Sequence, residues 1–215
     1  FVEYALWLND QEHGEEWLAA MLEEKLEISG REKQLEFVLA NLPAAKTAAA
    51  ISRLMPKPFP KDGSGPWLNL AMKTGDSTVI GTVYEQLVSG GFDEKTTLTV
   101  LRGLGETVTQ RRIKLTGDPT KLLPLMDGGD PAIRLAAISL AGAIAPDALM
   151  PRLIEISSDP SPAEIRTAAI DALGNFQSPA VRQALVALAD AKSAPVLRQH
   201  AVLALARFHR DAAVP

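Results

Sequence analysis

The C-terminal part of the chain repeats itself at an interval of 32 residues. Three segments align at this interval without a gap, and they begin at Ile133, Ile165 and Leu197. Every copy carries an arginine at its second position and an alanine at its fifth, which gives two columns: Arg134, Arg166 and Arg198, and Ala137, Ala169 and Ala201. A short unit repeated in this way predicts an array in which each unit packs on the next.

Each copy has the pattern of an α-helix. Its apolar residues fall at i, i+3, i+4, i+7, i+8 and i+11, which is one helix face. Proline stands in the first turn, where its missing N–H is harmless, and Asp130 and Ser161 before two of these prolines are predicted N-caps. A shorter apolar stretch precedes each helix, over residues 119–126, 148–156 and 179–189. The pattern therefore predicts an all-α fold, an α-α superhelix or solenoid of stacked helical hairpins, with three regular repeats in residues 118–215.

Residues 1–117 are predicted to form less regular helical hairpins that continue into the same array. The candidate helices cover residues 1–8, 15–26, 32–41, 44–55, 67–72, 77–89 and 93–112. A Pro/Gly-rich segment near residues 56–66 is predicted to be an extended loop, because proline removes a backbone donor and restricts the residue before it.

The composition excludes several kinds of chemistry. The 215 residues include no cysteine, so disulfides, thiol nucleophiles and cysteine metal sites are ruled out for this segment. The net charge is −4; residues 1–60 carry 10 acidic and 6 basic side chains, and residues 61–215 carry 16 of each. We therefore expect no nucleic-acid partner. No apolar run approaches the roughly 18 residues of a membrane span, so we expect no membrane insertion.

The arginine column Arg134, Arg166 and Arg198 is the leading candidate site. As a functional feature it would be a basic stripe that binds an acidic partner or phosphate groups. As a structural feature, each arginine would pair with a nearby acid or a helix C-terminus in the adjoining repeat. Structural pairing is the favoured interpretation, and acids available for it are Asp130, Asp159, Glu164 and Asp171.

Two further features are weaker candidates. Arg111, Arg112 and Lys114 form the densest basic cluster, which would contact a phosphate or an acidic surface, although exposed charges are usually just solvated. His200 stands in a column that is Ala136 and Ala168 in the earlier copies, so it is predicted to mark an irregular groove position. No catalytic, cofactor-binding or metal-binding residue is predicted, since no hydrolase, phosphate-loop or metalloprotease motif occurs.

The 32-residue copies, with an arginine near the start of the second helix, resemble HEAT repeats of the short bacterial type, which belong to the armadillo-like helical folds. This resemblance covers residues 118–210. It implies a non-catalytic scaffold that mediates contacts between domains or proteins.

A second resemblance rests on Phe1–Leu8, Glu16–Leu18 and Leu35–Leu39. These segments resemble the start of the helical region in large haem-binding proteins of Planctomycetes and Verrucomicrobia, often named membrane-bound dehydrogenases. In that family a sorbosone-dehydrogenase-like β-propeller precedes the repeats and a c-type cytochrome domain with Cys-x-x-Cys-His follows them. The resemblance implies a redox parent with haem c outside this chain, and an extracytoplasmic location.

These observations lead to one expectation and two alternatives. Because residue 1 is Phe and the chain opens on an apolar run, we expect this chain to be a piece of a longer polypeptide. We expect it to contact the flanking domains of that polypeptide or a protein partner. The alternatives are a stand-alone interaction module without a redox parent, and a nucleic-acid binder or enzyme built on HEAT repeats. Neither the oligomeric state nor the identity of the partner follows from the sequence.

Overall fold

A computed structural model describes residues 13–14, 16–17, 19–20, 23, 32–41, 44–190 and 192–212. The helix predicted over residues 1–8 lies outside this range, as does most of the one predicted over 15–26. From residue 32 onward, the described residues form α-helices and two short 3₁₀ helices, with no β-strand among them. The predicted all-α repeat solenoid is confirmed.

The helices are numbered in chain order. The first five are α1 (Glu32–Asn41), α2 (Ala44–Leu54), α3 (Trp67–Thr74), α4 (Ser77–Val88) and α5 (Glu94–Arg111). The next six are α6 (Leu123–Met126), α7 (Pro131–Ile144), α8 (Met150–Ser158), α9 (Ala163–Leu173), α10 (Pro179–Leu188) and α11 (Pro195–Ala212). The 3₁₀ helices Pro119–Leu122 and Asp147–Leu149 lead directly into α6 and α8.

The chain divides into two compact units. The first contains Phe1–Thr96 and Ile113–Gly117, and the second contains Thr97–Arg112 and Asp118–Pro215. The division falls inside α5, whose first turn belongs to the first unit and whose remainder belongs to the second. The three regular repeats therefore lie in the second unit, together with most of α5.

The first unit has an apolar core with an ordered loop packed against it. Leu39, Ile51 and Tyr84 are fully buried in this core. Residues 56–66 contain no helix, and Phe59 of this segment is buried. The side-chain amide of Gln86 in α4 holds Phe59 at both backbone groups: Oε1 accepts from the Phe59 N–H at 2.8 Å, and Nε2 donates to the Phe59 carbonyl at 2.9 Å.

Gln86→Ala is expected to lower the free energy of unfolding by about 1–2 kcal/mol, because it leaves the N–H and C=O of a buried loop residue without their partner. Proteolysis between residues 56 and 66 should accelerate as well. Gln86→Glu is the matched control, because it keeps the acceptor for the Phe59 N–H but loses the donor to the Phe59 carbonyl. Its free energy of unfolding should lie between those of the wild type and Gln86→Ala. Urea denaturation and limited proteolysis measure both effects; equal stability of all three proteins would contradict the prediction.

The second unit stacks three helical hairpins, α6–α7, α8–α9 and α10–α11. The central second helix, α9, packs against its own partner α8 and against both α7 and α11. The alanine column, Ala137, Ala169 and Ala201, is completely buried in all three repeats. The second helices therefore form one continuous layer, which the recurring small residue allows them to build.

Two prolines shorten the first helices relative to the prediction. The segment over 119–126 is not one α-helix but a 3₁₀ helix followed by the single turn of α6, and 147–158 divides in the same way. Pro124 and Pro151 lie in the first turns of α6 and α8. Because proline lacks the N–H that an α-helical bond to residue i−4 requires, the α-helix begins only where the proline is tolerated.

The predicted N-caps have different outcomes. The carboxylate of Asp130 accepts from the Ile133 N–H at 2.8 Å, which confirms the cap of α7. The cap predicted at Ser161 is wrong: α9 begins at Ala163 and Pro162 occupies its N-cap position without a side-chain bond. The Ser161 hydroxyl instead accepts a hydrogen bond from Arg134 of the preceding repeat.

Glycine in one column lets successive second helices approach closely. A Cβ added to Gly142 would lie 2.7 Å from both Cα and Cβ of Ala172 in the next repeat. The equivalent pair one repeat later is Gly174 and Ala204, where an added Cβ would lie 3.3 Å from the Ala204 Cβ. Both pairs follow the 32-residue interval, so the glycine column is a further signal of the repeat in the sequence.

Candidate protein-interaction site

The arginine column reaches the ends of the first helices. The Nε of Arg134 donates to the carbonyl of Met126, the last residue of α6, at 2.9 Å. The Nε of Arg166 donates to the carbonyl of Ser157, near the end of α8, at 3.1 Å. Carbonyls in the last turn of a helix have no partner within that helix, and a cation is favourable at this negative end of the helix dipole.

Arg134 of the arginine column also contacts the next repeat. Arg134 also donates from its guanidinium to the Ser161 hydroxyl at 3.3 Å, so it links its own hairpin to the following one. Arg198 is half-buried at the equivalent position of α11. The bonds of Arg134 and Arg166 go to backbone carbonyls and a hydroxyl, not to the acids proposed from the sequence. A role of the column in partner binding stays a prediction.

Arg134→Ala is expected to lower the free energy of unfolding by about 1 kcal/mol, because the Met126 carbonyl and the Ser161 hydroxyl lose a charged donor on a half-buried side chain. Arg134→Lys is the control, since one ammonium group keeps the charge but cannot reproduce the directed guanidinium bonds. Measured by chemical denaturation, Arg134→Lys should lose less free energy of unfolding than Arg134→Ala but should not reach the wild-type value. Full recovery by lysine would show that charge alone matters.

His200 contacts the preceding repeat, and its assignment as an irregular groove position stays a prediction. Its Nδ1 lies 2.9 Å from Oδ1 of Asp171, which belongs to the preceding second helix, α9. Asp171 was predicted to be an acid available to the arginine column, and the structure places it beside the histidine instead. Within the described residues, no group of three or more His, Asp or Glu side chains is arranged to hold a metal ion.

A second connection between repeats is not visible in the sequence pattern because its members lie in different columns. Arg152 of α8 lies 2.8 Å from Asp127, which follows α6. It also pairs with Glu155 at 2.7 Å. The hydrogen bonds that Arg152 donates to Glu155 and Asp127 raise the pKa of its guanidinium above the usual value.

The predicted basic cluster is divided between the two units. Arg111 and Arg112 belong to the second unit, whereas Lys114 belongs to the first. Arg111 is half-buried, and this burial lowers its pKa, while Arg112 and Lys114 are exposed. The proposed contact of the basic cluster with a phosphate or an acidic surface stays a prediction.

In the second unit, a groove of about 580 Å³ lies between α5 and α7. Apolar residues such as Leu101, Ala136 and Leu140 line it, and polar residues border them. Arg102 and Glu106 place charges of both signs on its α5 side, where they are exposed. A mixed, open groove of this kind suits a peptide or helix better than a small substrate that must be shielded from water.

The helices of the described residues do not include one that is both long and apolar enough to span a membrane. A search of curated proteins found no match to this chain. The family model described as HEAT repeats matches residues 119–206, which are the three hairpins whose stacking is described above. This part of the chain is therefore a HEAT-repeat region.

Proposed function

We propose that the chain is a non-catalytic scaffold that holds flanking domains or a protein partner in a fixed relation. The supporting observation is that polar side chains connect one repeat to the next. Four such connections are Arg134 to Ser161, Asp127 to Arg152, Asn175 to the Gly142 carbonyl and Asp171 to His200. Because each repeat in a solenoid contacts its neighbours alone, connections of this kind stiffen the array along its length.

The groove between α5 and α7 is the proposed contact surface for that partner. Its apolar floor offers surface to bury, and its rim offers donors and acceptors to fix orientation. Gly105 in this groove has open space around the position of a Cβ, so a partner backbone can approach α5 closely there.

Site-specific photo-crosslinking in the full-length protein tests this proposal. The crosslinking residue replaces Ser139, an exposed groove residue, or Ala148, an exposed residue that does not line the groove. We expect crosslinks from position 139 to peptides of one defined sequence, either a flanking domain or a single partner, and background from position 148. Equal background at both positions would overturn the proposed contact surface.

A finer proposal concerns the parent protein. We propose that it is a bacterial redox protein with haem c bound outside this chain, and that it acts outside the cytoplasm in electron transfer. The support is the resemblance of Phe1–Leu8, Glu16–Leu18 and Leu35–Leu39 to the haem-binding family described above. The described repeats are proposed to connect its propeller to its cytochrome domain.

The gene of the full-length protein tests this finer proposal. A Cys-x-x-Cys-His motif within the region encoded downstream, together with covalently bound haem in the purified full-length protein, would support it. Absence of the motif would leave a stand-alone interaction module as the function, with the scaffold role unchanged.

A further inference from the structure

The outer face of the last described repeat carries a stripe of exposed apolar residues on α11. Val196, Val202 and Leu203 are 52%, 52% and 53% exposed. Together with Gln199 and Ala206, which are also exposed, they recur at helical spacing and share one side of the helix. We call these five residues the terminal face. Large exposed apolar side chains grouped in this way indicate a contact surface more often than scattered ones do.

Two of these columns, those of Val202 and Ala206, are covered in the two earlier repeats, whereas Ser139 and Glu164, in the columns of Leu203 and Val196, are exposed there. Ile138 and Ile170 stand two repeats and one repeat before Val202, and both are fully buried. Gly142 and Gly174 occupy the column of Ala206, and both contact an alanine of the following second helix. The interface that buries this column thus occurs twice in the chain, and the terminal face is its third copy.

The terminal face is also more apolar than the equivalent face of the second repeat. Val196 replaces Glu164 of the second repeat, and Leu203 replaces Asp171. A repeat that ends an array in water normally carries a polar outer face. The change from carboxylates to aliphatic side chains is opposite to that expectation, and it points to a covered surface.

We propose that the terminal face binds a further helical hairpin of the same repeat type. The second helix of this hairpin presents alanine or glycine against Ala206, in the column where Ala172 meets Gly142 and Ala204 meets Gly174. Because Ala206 carries the Cβ that both glycines lack, this helix lies farther from α11 than the second helices lie from each other in the two earlier interfaces. In the preceding interface Asp171 receives His200. Because Leu203 stands in place of Asp171, the hairpin carries an apolar residue in the position of His200. This proposal rests on the scaffold function and names the chemistry of one partner surface.

An insertion variant of the whole chain supplies such a hairpin. A second copy of residues 175–206 is inserted after Ala206, with His200→Ala in the inserted copy, so that the 32-residue register continues. The wild-type junction between Gly174 and Asn175 is thereby reproduced with Ala206 in the place of Gly174. Thermal unfolding followed by circular dichroism is the readout, and we expect the inserted chain to melt about 5 °C or more above the original chain.

Two substitutions show whether the gain comes from the terminal face. Val202→Asp, made in the original copy of residues 175–206, should leave the melting temperature of the original chain almost unchanged, since Val202 is half-exposed. In the inserted chain the same change should abolish the gain in melting temperature. Ala187→Asp is the matched control on α10. It is exposed, and its equivalent in the covered second repeat, Glu155, is exposed too, so this change should leave the gain intact.

Three outcomes overturn the proposal. They are an inserted chain that melts no higher than the original, a gain that Ala187→Asp removes as completely as Val202→Asp, and concentration-dependent dimerisation of the original chain that Val202→Asp abolishes. The last result, measured by sedimentation, would assign the face to a second copy of the chain. Crosslinking at the groove reports on the scaffold function separately, so the two proposals can fail independently.

Discussion

Gly142→Val is expected to lower the free energy of unfolding by about 3 kcal/mol, near the upper end for overpacking in a well-packed interior. The reason is the contact across the first repeat interface. The first added carbon would already lie 2.7 Å from the Cα of Ala172. That atom is backbone and cannot move aside as a flexible side chain would, so α9 must shift as a body. The expected result is a lower urea midpoint.

Two other glycines provide the matched series. Gly105 also lies within a helix, but a Cβ there meets nothing within 4 Å. Gly105→Ala should therefore stabilise the protein by about 0.5–1 kcal/mol through helix propensity. An added Cβ at Gly174 would lie 3.3 Å from its neighbour Ala204. The effect of Gly174→Ala on the free energy of unfolding should therefore lie between those of Gly142→Val and Gly105→Ala. If the three changes had equal effects, close helix approach at Gly142 would not be the cause.

Ile170→Ala is expected to cost about 3–4 kcal/mol, because it removes a fully buried side chain and leaves a cavity in the interface between α9 and α11. Val202→Ala is its control in the same repeat column. Val202 is 52% exposed, so its truncation should cost less than about 0.5 kcal/mol. Equilibrium denaturation measures both free energies. A similar loss from both changes would show that Val202 is buried in solution, for example by self-association.

Much of the fold follows from periodicity. The helices found at Glu32–Asn41, Ala44–Leu54, Ser77–Val88 and Pro179–Leu188 end within one residue of their predicted positions. Amphipathic spacing and proline punctuation are local signals, which is why they are readable from one sequence. The two 3₁₀ segments were missed because apolar spacing alone does not separate a continuous helix from one that begins at Pro124 or Pro151.

Less of the candidate site than of the fold could be predicted from the sequence. The arginine column was visible and a helix C-terminus was one of its two predicted acceptors, yet the specific acceptors, the carbonyls of Met126 and Ser157, were not identified. Every residue has such a carbonyl, so no sequence pattern distinguishes the ones that are left open at a helix end. The bond between His200 and Asp171 joins residues 29 positions apart, and the groove between α5 and α7 depends on how far apart two helices lie.

The sequence by itself determined the repeat length, the all-α hairpins and the residues that face the interior, because helical periodicity and a 32-residue interval are properties of residue order. Only the tertiary structure decided which polar atoms meet across repeats, and that Ile138 and Ile170 are buried while Val202 of the same column is half-exposed. The physical reason is that burial in a stacked array depends on the neighbour. Equivalent residues therefore differ according to whether another hairpin lies against them.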